Sequence, residues 1–311
     1  MFERNAAFLE RAVEQRSLIR PVSKHRLPDG TLDVEGNLRL WNTAMEPFEK
    51  VPLWSEPVCA GELQGEPCLI PVLAESRAEK PVILIAHGGG FRWRTGCEAA
   101  NVAWRFRQDG YPTAMLSYRL QPHTRRESLL DMLRAVRLLR QLKNEISHNG
   151  KVIVMGFSAG GMLAANCATL FDHGDSTSAD PAERESCRPD AAVVCYGAMS
   201  ATAFPLPFGM VPDAALFGAK AEERCAFSAE RQIRFDTPLM FLWQTMSDDG
   251  RHGMNLASAL QAMGVPYELH IFQAGAHGLA LADGENDLDS SVETVSRWPE
   301  LCLGWLNENG L

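Results

Sequence analysis

The stretch Lys151-Val152-Ile153-Val154-Met155-Gly156-Phe157-Ser158-Ala159-Gly160-Gly161-Met162-Leu163 decides how this chain is read. Four β-branched or long apolar residues run without a polar break into Gly156, as a strand buried on both faces does. Small residues then open a helical pattern at 162–170. A serine between them, in the arrangement Gly156-x-Ser158-x-Gly160, is held on a sharp turn whose flanking positions have no room for side chains. Chance would supply the five-residue pattern in roughly one chain in ten of this composition, so the pattern needs its strand and helix to carry weight.

Similar apolar runs lie at 81–86, 112–117, 191–196, 239–243 and 267–272. Helical stripes alternate with them. At 128–145, Leu129, Met132, Leu133, Val136 and Leu139 form an apolar face, with Arg134, Arg137 and Arg140 expected on the solvent side. Further helices are expected at 256–263 and 292–306. Strands alternating with helices predict an α/β fold: a mostly parallel central sheet with helices on both faces and functional groups beyond the carboxyl ends of the strands. The expected organisation is a segment 1–50, with a helix at 4–19 (Phe8, Leu9, Val13 and Leu18 on one side) and an irregular lead-in at 21–50 packed on the core. A catalytic domain at 51–311 follows, with a small proline-bearing excursion near 199–234.

Bulk properties exclude several classes. The 311 residues are 46% hydrophobic and 22% charged, which suits a sizeable folded core. A formal charge of -9, with no basic face, argues against nucleic acid as a partner. Neither a secretory leader nor an apolar run long enough to span a bilayer is visible, so no membrane association and a cytoplasmic location are expected. The eight cysteines are scattered without CxxC spacing and read as reduced thiols, several of them buried. No metal-ligand spacing appears, and neither a metal nor a cofactor is expected.

Chemistry gathers at the strand ends. The run 81–86 leads into His87-Gly88-Gly89-Gly90-Phe91, a pattern that chance yields roughly 0.004 times per chain. Main-chain N–H groups freed of side chains converge on one oxygen, and the developing oxyanion of acyl transfer is the natural client. Gly88, Gly89 and Ala159 are the expected donors, with His87 bracing the loop. Serine needs a base, itself oriented by a carboxylate. Among the histidines His277, in Gly275-Ala276-His277-Gly278 after the last strand, fits best. His270 points to a strand interior, and His25, His123, His148, His173 and His252 sit in polar stretches suited to solvated roles. The acid falls between nucleophile and base, at Asp248 or Asp249. Phe91, Trp93 and Phe157 are candidate walls for the substrate.

With HGGGF, GFSAGG, the aspartate pair and GAHG in this order, the chain resembles the acetyl xylan esterase and feruloyl esterase-like branch of the α/β hydrolases. Lys50-Val51-Pro52-Leu53-Trp54, Ser117-Tyr118-Arg119-Leu120, the run 237–243 and Val265-Pro266-Tyr267-Glu268-Leu269-His270 add to the likeness, which spans about 49–306. The resemblance implies a serine esterase with Asp248 as the acid, acting on short acyl groups, acetyl above all, of acylated sugars or xylo-oligosaccharides. The chain departs from the pattern at Asp249-Gly250-Arg251-His252-Gly253, where the family carries an apolar, proline-containing loop. A serine peptidase of the prolyl-peptidase type and a non-catalytic ligand-binding homologue are the competing expectations.

Overall fold

The computed structural model describes residues 26–58, 61–72, 80–203, 214–218 and 220–311. The expected helix at 4–19, His25, Cys59 and the centre of the 199–234 excursion lie outside these residues. An eight-stranded sheet organises the rest, in the order β1 (Val51–Pro52), β2 (Cys68–Val72), β4 (Thr113–Ser117), β3 (Val82–Ala86), β5 (Val152–Phe157), β6 (Ala191–Cys195), β7 (Leu239–Thr245) and β8 (Tyr267–Phe272). From β4 to β8 every pairing is parallel; β1 and β2 add an antiparallel edge. This is the mixed, mostly parallel sheet that the alternation predicts.

Side chains alternate across a strand, so each central strand feeds two cores. On one face Val82, Leu84, Val154 and Val194 pack with Met132, Val136 and Leu163 of α3 (Arg125–Gln141) and α5 (Ala159–Thr169), and with Leu256 and Leu260 of α8 (Arg251–Ala262). On the other, Ile83, Ile85, Ile153 and Val193 meet Phe106 of α2 (Val102–Gln108) and Trp298 and Leu306 of α9 (Trp298–Glu308). The short helices α4 (Lys143–Ile146), α6 (Ala214–Phe217) and α7 (Ala221–Phe227) fall between these along the chain. Burial on both faces is why these strands lack the polar alternation of a half-exposed sheet.

Three features differ from the sequence expectation. The lead-in at 21–50 contains a regular helix, α1 (Val34–Met45), started by Asp33, whose carboxylate accepts from the Gly36 N–H at 2.8 Å. Leu38, Trp41 and Met45 are buried, and this 3.6-residue rhythm was masked by the surrounding Pro, Gly and Asn. Helix α3 begins at Arg125, earlier than expected, because Thr124 and Glu127 form a reciprocal capping box. Its arginines are not a solvated face: Arg134 and Arg137 are buried. Arg134 pairs with Asp180 and Glu183, Arg137 with Asp172 and Glu183, and Arg140 with Asp190. The segment carrying those acids folds back over the helix, which no helical periodicity can reveal. No helix among the described residues is long and apolar enough to cross a membrane.

Candidate active site

Strand β5 ends at Phe157 and α5 begins at Ala159, leaving Ser158 to make the turn with φ 54° and ψ −117°. That backbone region is costly for a residue with a Cβ and persists only where the surroundings enforce it. Here the Ser158 N–H donates to the Cys195 carbonyl at 3.0 Å, fixing the turn against β6. The flanking glycines are obligatory for space: a Cβ on Gly156 would lie 2.0 Å from the Gly160 carbonyl oxygen, and one on Gly160 would lie 2.1 Å from that of Ala86. Replacing Gly160 with alanine is therefore expected to lower unfolding free energy by about 3 kcal/mol through overpacking. A urea titration read by tryptophan fluorescence checks this, and an unchanged midpoint would show that β3 and α5 yield at no cost.

The Ser158 hydroxyl donates to Nε2 of His277 at 2.7 Å. Nδ1 of the same ring lies 2.6 Å from Asp248 Oδ2. This network fixes the tautomer: Nδ1 carries the proton toward the carboxylate, and the Nε2 lone pair faces the serine. Asp248 follows β7 and His277 follows β8, and the Ser247 hydroxyl, donating to the Gly275 carbonyl, ties the two loops together. Of the two aspartates left open by the sequence, Asp248 meets the imidazole. Asp249 takes φ 51° and turns away to receive Nε and a terminal nitrogen of Arg251, both at 2.7 Å.

The His87-Gly88-Gly89-Gly90 loop lies at the end of β3, beside Ser158. Gly89 (φ 106°) and Gly90 (φ 59°) occupy backbone conformations that glycine tolerates, and a Cβ on Gly89 would sit 2.1 Å from the Trp93 carbonyl oxygen. Gly89, Gly90 and Ala159 line the cleft with Ser158, and their N–H groups meet no acceptor among the described residues. Gly88 departs from its expected role. Its N–H points inward, to the Thr95 hydroxyl at 3.0 Å and to Glu98 Oε2 at 2.8 Å, so it is already committed. His87 is fully buried, stacked on Tyr118 with ring centroids 4.4 Å apart, and its Nδ1–H donates to the Gly88 carbonyl at 2.6 Å. Burial, with Arg94 nearby, pushes its pKa down to about 3, so the ring stays neutral and braces the loop.

Two of the three expected aromatic walls are not walls. Phe91 is buried and packs edge-on against Tyr118, and Phe157 is buried between Tyr196 and Trp298. Phe157 belongs to a strand whose side chains alternate into the cores, and Phe91 turns back under its own loop at φ 60°. Trp93 does line the cleft, a cavity of about 390 Å³, together with Met162, Leu216, His252 and Leu288. His252, expected in solvent, is turned inward: its Nδ1 accepts from the Ser200 N–H at 3.3 Å, and burial lowers its pKa. Sequence reading also missed Glu98 and Tyr196. Glu98 stands as a lone acid among small residues in Cys97-Glu98-Ala99-Ala100, a visible signal; Tyr196 is hidden at the end of an apolar strand. His148 is likewise buried, bonded to the Leu139 carbonyl.

The sheet order and the chemistry at its carboxyl edge define the chain as an α/β hydrolase. The BD-FAE family profile matches residues 70–249, more than half of the chain, which therefore belongs to that family and is an esterase of the BD-FAE branch. It is similar to an acetyl ester-xyloside bifunctional hydrolase from Caldicellulosiruptor lactoaceticus, at 34% identity and a TM-score of 0.75 over 84% of this chain and 96% of that one. A carboxylesterase from Lactobacillus plantarum WCFS1 shares the fold at 22% identity and a TM-score of 0.66, over 85% of this chain and 97% of the other. Endo-1,4-beta-xylanase B of Butyrivibrio fibrisolvens is 28% identical over 229 residues, 70% of this chain but 35% of that protein. The chain thus spans about a third of the length of that curated relative.

Proposed function

We propose that the chain is a serine esterase that hydrolyses short-chain acyl esters, with acetylated sugars or xylo-oligosaccharides as its preferred class. The observation that carries this reading is the continuous relay from Asp248 through His277 to the Ser158 hydroxyl, at 2.6 and 2.7 Å, opening into a cleft of about 390 Å³. Ser158 Oγ attacks the ester carbonyl while His277 Nε2 takes its proton. The amides of Gly89, Gly90 and Ala159 receive the oxyanion. His277 then gives the proton to the departing alcohol, and a water deprotonated by the same imidazole releases the acyl group from Ser158. Asp248 holds the imidazole tautomer and offsets the charge formed on it.

The acetyl preference is supported by the likeness to the acetyl ester-xyloside hydrolase. A panel of acetyl, butyryl and feruloyl esters, each with simple and sugar alcohols, tests it. The expected order is acetyl above butyryl by about 10²-fold in kcat/KM, since each of the two additional methylenes, if unaccommodated, is worth a factor of about ten or more, with feruloyl esters lowest. Faster turnover of feruloyl esters would overturn the acyl preference, and aminoacyl amides cleaved faster than any ester would replace the reading with a peptidase.

A further inference from the structure

Glu98 has a side chain that the reaction above does not use, yet it is buried at the centre of the site. It is 2% exposed and lies in a single π-helical turn, Cys97–Asn101, that runs directly into α2. Such turns are rare and frequently mark functional positions. Burying a carboxylate is costly unless donors satisfy it. Three do. Oε2 receives the Gly88 N–H at 2.8 Å and the Thr95 hydroxyl; Oε1 receives the Tyr196 hydroxyl at 2.8 Å. A Cβ placed on Gly88 would lie 2.4 Å from Glu98 Oε2 and 2.9 Å from Ser158 Cβ, so that one glycine is all that separates the carboxylate from the serine.

The connection continues on the other side. The Tyr196 hydroxyl, while donating to Glu98, accepts the Ala280 N–H at 3.0 Å, three residues beyond His277. The Ala280 carbonyl receives the Trp298 indole N–H at 2.9 Å, so this point of the loop is clamped from both sides. The Tyr196 ring meets the His277 ring edge-on, centroids 5.2 Å apart. Tyr196 is itself held at φ 38°, with its N–H on the Trp243 carbonyl at 2.8 Å.

We propose that Glu98 is a positioning residue that sets the oxyanion loop and the His277 loop in register, through Gly88 on one side and Tyr196 on the other. The inference rests on the esterase reading. Those two loops leave different strands, β3 and β8, and their relative placement fixes where the oxyanion donors stand when the imidazole takes the proton. A carboxylate suits the task because it accepts on both oxygens. An amide cannot: its NH2 would face either the Gly88 N–H or a tyrosine hydroxyl already accepting from Ala280.

Glu98→Gln, Tyr196→Phe and the double variant, assayed on p-nitrophenyl acetate with active sites titrated by a fluorophosphonate, test the proposal. Each single change is expected to lower kcat per titrated site by about 10²-fold, the scale of an ångström-sized misplacement. KM should stay within about threefold, because the loss falls on the transition state. The double variant should be no slower than the worse single one, since both cut the same link. Tyr196→Phe keeps the ring and removes only the hydroxyl, so it carries the test by itself where Glu98→Gln yields no folded protein. A kcat per site equal to wild type, with the change confined to the melting temperature, would overturn the coupling, as would losses that multiply. Ser158→Ala in the same assay separates the two readings. Turnover retained there overturns the esterase reading together with this one; an inactive Ser158→Ala beside an unimpaired Tyr196→Phe overturns the coupling alone.

Discussion

Ser158→Ala is expected to lower kcat for p-nitrophenyl acetate by about 10⁶-fold, the scale seen when the nucleophile of a serine relay is removed. The size follows from the mechanism, not from stability. Alanine leaves the turn's backbone bond to Cys195 and the glycine contacts at 156 and 160 in place, so the melting temperature should move little. What disappears is the oxygen 2.7 Å from His277 Nε2, and with it the covalent route. The residual rate would come from the amides of Gly89, Gly90 and Ala159 acting on a bound ester attacked by water. Intact-mass spectrometry after fluorophosphonate treatment gives a second reading: one adduct on the wild-type chain and none on the variant. Adduct formation on Ser158→Ala would place the nucleophile elsewhere.

Asp248→Asn is expected to lower kcat by about 10⁴-fold, because the amide presents its NH2 to Nδ1 and selects the tautomer that turns a proton toward Ser158. Asp249→Asn should change kcat by less than about threefold, since a partly exposed aspartate–arginine pair contributes little. Its carboxylate serves Arg251, not the imidazole. Comparing the two variants in one steady-state assay decides between adjacent residues of the same type. A larger loss at Asp249 than at Asp248 would reassign the acid and require the β7 loop to rearrange when substrate binds.

Much of the fold is written in local pattern. The continuous apolar runs that form β3, β5, β6 and β7 are too short for buried helices and so read as strands covered on both faces, and their alternation with helical stripes implies parallel pairing. The antiparallel edge of β1 and β2 was less visible: β1 is two residues long and β2 carries a proline, so neither has a strand signature without its partner. Helix α1 shows the reverse failure, an apolar rhythm obscured by its neighbours. The arginines of α3 read as solvent-facing because a helix stripe records only which side is apolar, and cannot record that an acidic segment forty residues later covers the polar side.

The site divides along the same line. Ser158, the glycine loop and His277 are readable because each demands a local backbone, a strained turn or a run without side chains, and that demand shows in adjacent residues. Which aspartate faces the imidazole, which glycine N–H groups open to the cleft and which aromatics line it depend on the direction a group points after the chain has folded. Sequence by itself determined the parallel core of the sheet, the order of the motifs along it and the ends of the strands where they gather. Only the tertiary structure turned Asp249 and the Gly88 N–H away, sank Phe91 and Phe157 into the cores and brought Glu98 behind Ser158. Those outcomes are set by contacts between residues far apart in the chain, where a rotation about one backbone bond decides what a side chain meets.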